Sequence, residues 1–284
     1  MIVAAYAAAL PASADPALKI DSNLIWDISE PWFGGFSGLE VSPDGQSLTI
    51  ISDRGVLVTA RLIRSAGTVT GIELLSVDPL RQADGTPLQG DLIDAEGLAI
   101  DADGQAFISF ENKHRVMALD LSGGITTPLA SYKDFEQLGF NTGLEALAIH
   151  PDGRLFTLSE GKADETGSTP LYQLQGGRWT ISHRVPLKGP FVPVGADFDD
   201  NGRFYLLERT LSPLGFRSRI RRFDLDAGPN AVETLVSTIP GTFDNLEALS
   251  VWRDPMGQIR LTLISDDNFL SLQRTQIVEY VIKE

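Results

Sequence analysis

Eight carboxylates recur along this chain at fixed places in a repeated motif, and acids gathered in that way hold hard cations or position water. Five of them, Asp53, Glu111, Glu160, Glu208 and Asp266, each close a short apolar run that follows an Asp-Gly or Gly turn. Three more, Glu96, Glu145 and Glu247, open the apolar run that precedes that turn. The start of one strand and the end of its antiparallel neighbour share a sheet edge. Glu96 is therefore expected beside Glu111, Glu145 beside Glu160, and Glu247 beside Asp266. Those six are the candidate metal ligands, and Glu96, Glu145 and Glu247 are also the candidate catalytic groups. Basic residues follow the closing acids: Arg54, Arg115, Lys162 and Arg209 are candidates for binding an anionic group. Asp53, Glu208, Asp267 and Asn268 are expected on the same face. Crowded carboxylates raise one another's pKa values unless something compensates, and Ca²⁺, an oxygen-seeking cation, is the simplest compensation. A ring of carboxylates, arginines and a cation suits hydrolysis of a phosphoester or related ester, where positioning and charge neutralisation do most of the work. The expected partner is a small anionic or ester substrate.

The elements that must present these residues are legible as a repeat. The segments 37–55, 96–113, 145–162, 194–210 and 247–268 are one unit at a period of about fifty residues, the length of a four-stranded propeller blade. Each holds two apolar runs around a turn, as in Pro43-Asp44-Gly45 or Ala102-Asp103-Gly104, where both central positions are expected to take positive φ. Two further runs follow each hairpin, except in the last unit, which is one strand short. The run 18–29 supplies that strand from the other end of the chain. The expected fold is all-β, a single propeller of five four-stranded blades closed by the N-terminal strand, with no open sheet edge. Six blades is the alternative, and 78–94 is read as a long loop over the working face. Radial blades bring all eight acids to one mouth of the central channel and send the Asp-Gly turns to the other.

Composition narrows the classes. The 284 residues suffice for one large propeller, here 15–284. A formal charge of −15 argues against nucleic acid, which needs a basic face. No cysteine is present, which excludes disulfides and thiolate metal sites. No apolar run reaches the length of a membrane span. Residues 1–14, with an apolar stretch and Ala12-Ser13-Ala14, read as the remnant of an export signal peptide, so a periplasmic or secreted location is expected. No nucleophile elbow or phosphate loop is found, since Gly35-Phe36-Ser37-Gly38-Leu39 fails at its last position.

The motifs GGFSGLE, ISDRG, DAEGLAI, GLEALAI, LSEG, LLER, NLEAL and ISDDN, running in order from Phe33 to Tyr280, resemble the phytase-like family described as having esterase-like activity, bacterial and mostly exported. The resemblance implies a β-propeller and ester or phosphoester hydrolysis. The D-D-P-A-I-W-type signature of calcium-dependent propeller phytases is absent. Two other functions fit the same surface. A non-catalytic propeller binding a sugar, lipid or protein would line the mouth with Trp26, Trp32, Phe33 and Phe36, and a calcium-dependent lactonase-like hydrolase would share the metal site.

Overall fold

A computed structural model of the chain describes residues 18–139, 143–161, 164–228 and 231–282. Residues 1–14, expected above to be an export-signal remnant, and Lys162 lie outside the described residues. After β1 (Leu18–Ile25) the chain builds blade one from β2 (Phe36–Val41), β3 (Ser47–Ser52), β4 (Val56–Ser65) and β5 (Thr68–Pro79). Blade two is β6 (Ala95–Ile100), β7 (Ala106–Phe110), β8 (Arg115–Asp120) and β9 (Ile125–Pro128). Blade three is β10 (Leu144–Ile149), β11 (Leu155–Ser159), β12 (Ser168–Gln175) and β13 (Arg178–Pro186). Blade four is β14 (Val192–Phe198), β15 (Phe204–Ser212), β16 (Gly215–Phe223) and β17 (Val232–Ser237). Blade five is β18 (Asn245–Arg253), β19 (Ile259–Asp266) and β20 (Gln276–Ile282), completed by β1 on the outside of β20. The ring is closed as the repeat requires, and no sixth blade forms among the described residues.

Burial explains why the inner strands read as unbroken apolar runs. β2, β10 and β11 are buried at every position, because neighbouring blades pack on both faces, whereas outer strands such as β5 and β17 alternate or face water. The core is accordingly five apolar clusters, one in each gap between adjacent blades. Trp26, Phe33 and Phe36 stack together in the gap between blades five and one, with Phe36 wholly buried. They are core residues first.

Two expectations are corrected. The Asp-Gly turns place only glycine in the left-handed region, as at Gly45 (φ 70°) and Gly104 (φ 81°), while their aspartates do not adopt positive φ. The reason is loop length: Ser42 N donates to Ser47 O and Gly45 N to Ser42 O, a four-residue loop around a tight turn in place of a two-residue one. The segment 78–94, in turn, leaves β5 at Pro79, follows the outer edge of blade two at Arg81 and reaches the mouth only at its end, Asp94. Arg81 N donates to Gly124 O, Thr126 N donates to Arg81 O, and Leu80 and Leu88 are buried in the core between blades one and two. Two leucines need burial, and that holds the segment against the blade.

Candidate functional site

Every inner strand carries a bulge at the same place. Pairing slips between Phe36 and Gly38, Ala95 and Leu98, Leu144 and Ala146, Pro193 and Gly195, and Leu246 and Ala248. The extra residues are Ser37, Glu96, Glu145, Val194 and Glu247, with Gly97 beside Glu96. A bulge re-aims a side chain that regular pleating would send into the blade. Here it presents the three glutamates to the channel, where all are buried at 7–9% exposure. Tight approach of the blades makes room for nothing larger below them: a Cβ on Gly97 would lie 2.7 Å from Glu145 O and 2.6 Å from Leu147 Cβ.

The bulge also shifts which residue faces each closing position. Glu111 N donates to Asp94 O, Glu160 N to Gly143 O and Asp53 N to Gly35 O, while Asp266 pairs with Asn245. In blade four the residue in that register is Arg209, which pairs with Val192; Glu208 pairs with Pro193, one place earlier. Successive side chains on a strand point to opposite faces, so Arg209 turns to the mouth and Glu208 turns away. Glu208 is not a site-face residue. It is fully buried and accepts two hydrogen bonds each from Arg219 and Arg221, at 2.6–2.8 Å. The closing ring is therefore four acids and one arginine.

Two halves of the mouth differ. On blade two, ligand oxygens of Asp94, Glu96 and Glu111 all lie within 4.8 Å of one another, the only such group among the described residues. Glu96 hydrogen-bonds Asp94, and Asn112 Nδ2 also donates to Asp94. Asn112 is left-handed (φ 56°), and its Oδ1 is buried without a partner. Glu111 Oε1 accepts from Gly143 N at 2.9 Å. Glu145, Glu160, Glu247 and Asp266 fall outside this group, so the six candidate ligands do not form a single-ion cage. The other half is organised by Arg209. Its Nη1 donates to Asn245 Oδ1 (2.7 Å) and meets Glu247 Oε1 (3.1 Å), and its Nη2 donates to Glu160 Oε1 (3.1 Å). Asn245 Nδ2 donates to Glu247 Oε1 as well.

Burial pushes Glu96 and Glu145 well above the usual carboxylate range, and neighbouring acids push further: Glu145 and Glu247 act on Glu96, Glu160 and Glu247 on Glu145. Burial lifts Glu247 to about 8, against the pull of Arg209. Asp53 is pushed up to about 7 by burial and by Asp266 and Asp94, and its buried Oδ1 has no partner. Asp266 rises to about 6 through burial, although Asn268 N donates to it.

The remaining candidates divide. Arg54 is exposed and stacks on Phe269, its guanidinium carbon 3.1 Å from the ring centroid. Arg115 spends its donors on Lys113 O and Leu92 O, so its first role is to hold the segment that delivers Asp94. Asp267 Oδ1 accepts from Gly35 N and Phe269 N, at 3.2 and 3.1 Å. Asn268, left-handed at φ 47°, donates to Gln273. Sequence reading missed Asp94, Asn112 and Asn245. The missed signal lies in the slot before each closing residue, Ser52, Phe110, Ser159, Glu208 and Ser265, which aligns Arg209 with the acids.

All donors on blade two are oxygens, and 4.8 Å is about two calcium–oxygen distances. With Asn112 Oδ1 unsatisfied beside them, these residues fit a hard divalent cation.

The family model Phytase-like, described as esterase-like activity of phytase, matches residues 31–269. No curated protein matches. Among solved structures, the chain is similar to the PQQ-bound aldose sugar dehydrogenase of Streptomyces coelicolor (14% identity, 95% of this chain and 100% of that one, TM-score 0.48). It is also similar to a gluconolactonase of Xanthomonas campestris (17% identity, 86% and 71%, TM-score 0.45). A third is virginiamycin B lyase of Staphylococcus aureus (10% identity, 94% and 100%, TM-score 0.44).

Proposed function

The chain belongs to the phytase-like family, described as esterase-like activity of phytase, and on that premise we propose that it hydrolyses a phosphoester or related ester at the acidic mouth, with a divalent cation such as Ca²⁺. The observation that carries this reading is the blade-two group, three carboxylates with converging oxygens and, among the described residues, no ion pair. Asp94, Glu96 and Glu111 would hold the cation, which when bound supplies Lewis-acid polarisation of the ester oxygen.

The chain's own residues supply the rest. At neutral pH Glu247 keeps its proton, so it can donate to a leaving oxygen. Asp53, with a pKa of about 7, is matched to taking a proton from water. Arg209 stays cationic between Glu160 and Glu247 and orients an ester oxygen toward them. A purely binding propeller with an aromatic-lined mouth is less well supported, because Trp26, Phe33 and Phe36 pack together in the gap between blades five and one, while the bulged glutamates Glu96, Glu145 and Glu247 face the channel.

The test is nitrophenol release from p-nitrophenyl phosphate and p-nitrophenyl acetate by chelator-stripped protein, with and without added Ca²⁺. Turnover should depend on the cation and be lost in Glu96→Gln. No turnover of either ester with cation present overturns the reading.

A further inference from the structure

We propose that the cleft between the loops 26–35 and 267–275 is a subsite for an alkyl or aryl group that carries no negative charge, which assigns the substrate to esters with an apolar portion; its role as a substrate subsite rests on the hydrolase reading above. The cleft holds about 620 Å³, within the usual size of a small-molecule site. Its floor is Trp26 and Phe33, packed edge to face at 5.0 Å. Its walls include Ile25 and Leu270, 52% and 56% exposed. Apolar groups left open around an aromatic floor are what an apolar ligand would cover.

The cleft shares a wall with the mouth. Phe269 lines it and also carries Arg54 on its ring. The ring packs on Gly34 and Gly35, where a Cβ on Gly35 would come within 2.7 Å of the ring and 2.1 Å of Asp53 Oδ1. One residue, Gly35, thus separates the Phe269 ring from the buried, unpartnered Oδ1 of Asp53. Phe269 holds that place in the left-handed region (φ 51°), directly after left-handed Asn268. A bulky residue rarely adopts this conformation, and such outliers gather at functional sites. Asp267, which also lines the cleft, holds the loop by accepting from Gly35 N and Phe269 N.

Charge selects the ligand. Asp27, Glu30 and Asp267 line the cleft against one cation, Arg274. A phosphate or carboxylate entering it meets repulsion, while a neutral or cationic apolar group does not. The cleft therefore fits the apolar portion of an ester and leaves any charge-bearing reaction centre to the mouth.

A matched pair of probes tests the cleft without turnover: 4-phenylbutylamine and 4-phenylbutyrate, followed by thermal shift and intrinsic tryptophan fluorescence. The amine should bind, the carboxylate should bind at least about tenfold more weakly, and Phe269→Gly and Leu270→Ser should each weaken the amine. Phe269→Gly removes the ring while suiting the left-handed backbone, and Leu270→Ser changes only an exposed side chain. Equal binding of the two probes, no binding of the amine, or amine binding untouched by both variants would overturn the proposal. In the turnover arm, p-nitrophenyl butyrate should exceed the acetate in kcat/KM by about tenfold, from two more buried methylenes, with that preference lost in Phe269→Gly. Turnover with no chain-length preference also counts against the cleft. Selective amine binding with no turnover of any ester would uphold the cleft's ligand class and overturn the hydrolase reading.

Discussion

Blades two and four present the same three positions to the mouth and fill them with opposite chemistry. Blade two has Asp94, Glu96 and Glu111; blade four has Val192, Val194 and Arg209. The backbone is alike in both, a bulge after the first pair, so the scaffold does not decide the charge. What differs is the compensation. Arg209 satisfies acids on the two adjacent blades, Glu160 and Glu247, whereas the blade-two acids converge on one another. The walls between blades show a third arrangement: Glu208 is held by Arg219 and Arg221, and Glu279 by Arg64 and Arg260. A buried carboxylate with two arginines is structural. One surrounded by other carboxylates is, on the proposed function, available to a cation.

The sharpest way to break this comparison is to neutralise one acid of each kind. Glu208→Gln leaves two buried guanidiniums unpaired and should cost about 3–5 kcal/mol in denaturant unfolding; a loss under about 1 kcal/mol would show that the wall triad is not structural. Arg209→Gln should cost about 2–4 kcal/mol at pH 8, where Glu160 and Glu247 lose their counter-charge, and less at pH 5. A loss equal at both pH values would deny Arg209 that role.

The pH dependence of the wild type follows from the raised acids. A carboxyl whose folded pKa is raised binds its proton more tightly folded than unfolded. Below the unfolded value both states are protonated and nothing is lost. As pH rises from about 4 the unfolded chain ionises first and stability falls. The decline ends as pH passes the folded values, about 6 for Asp266, 7 for Asp53 and 8 for Glu247. Cation-free protein should thus melt lower at pH 8 than at pH 5, and Ca²⁺ should restore more at pH 8. A flat profile with chelator present would contradict the raised acids.

Glu96→Gln removes one of the converging carboxyls. It should stabilise the cation-free protein by about 1 kcal/mol at pH 8, the low end of what neutralising a buried charge returns, and abolish stabilisation by Ca²⁺. Destabilisation would place Glu96 with the wall acids. The smallest effect belongs to the far end of the blades: Asp44→Ala loses hydrogen bonds from Ser42 and Gln46 in an exposed turn and should cost about 0.5 kcal/mol with turnover unchanged.

Much of this was legible in the chain. The repeat, the four-strand unit and the missing strand at the end are local signals, carried by apolar runs and left-handed glycines. The glutamates Glu96, Glu145 and Glu247 were legible because each opens an apolar run. Glu208 misled because it follows its turn at the expected distance, and only the pairing register assigns that slot to Arg209. Asp94 and Asn245 were missed because the bulge moves the facing residue toward the start of each unit.

The sequence by itself determined the four-stranded repeat, the closure by the N-terminal strand and the face on which acids accumulate, since these follow from strand periodicity and repeat count; that five blades form and not six was decided by the structure. Only the tertiary structure decided which acids meet. Strand alternation turns a one-residue shift of register into a change of face, so Glu208 went to the wall and Arg209 to the mouth. Contact across blades, which no local pattern encodes, then left Asp94, Glu96 and Glu111 together with, among the described residues, no arginine ion-paired to them, Arg115 acting on Asp94 only at longer range.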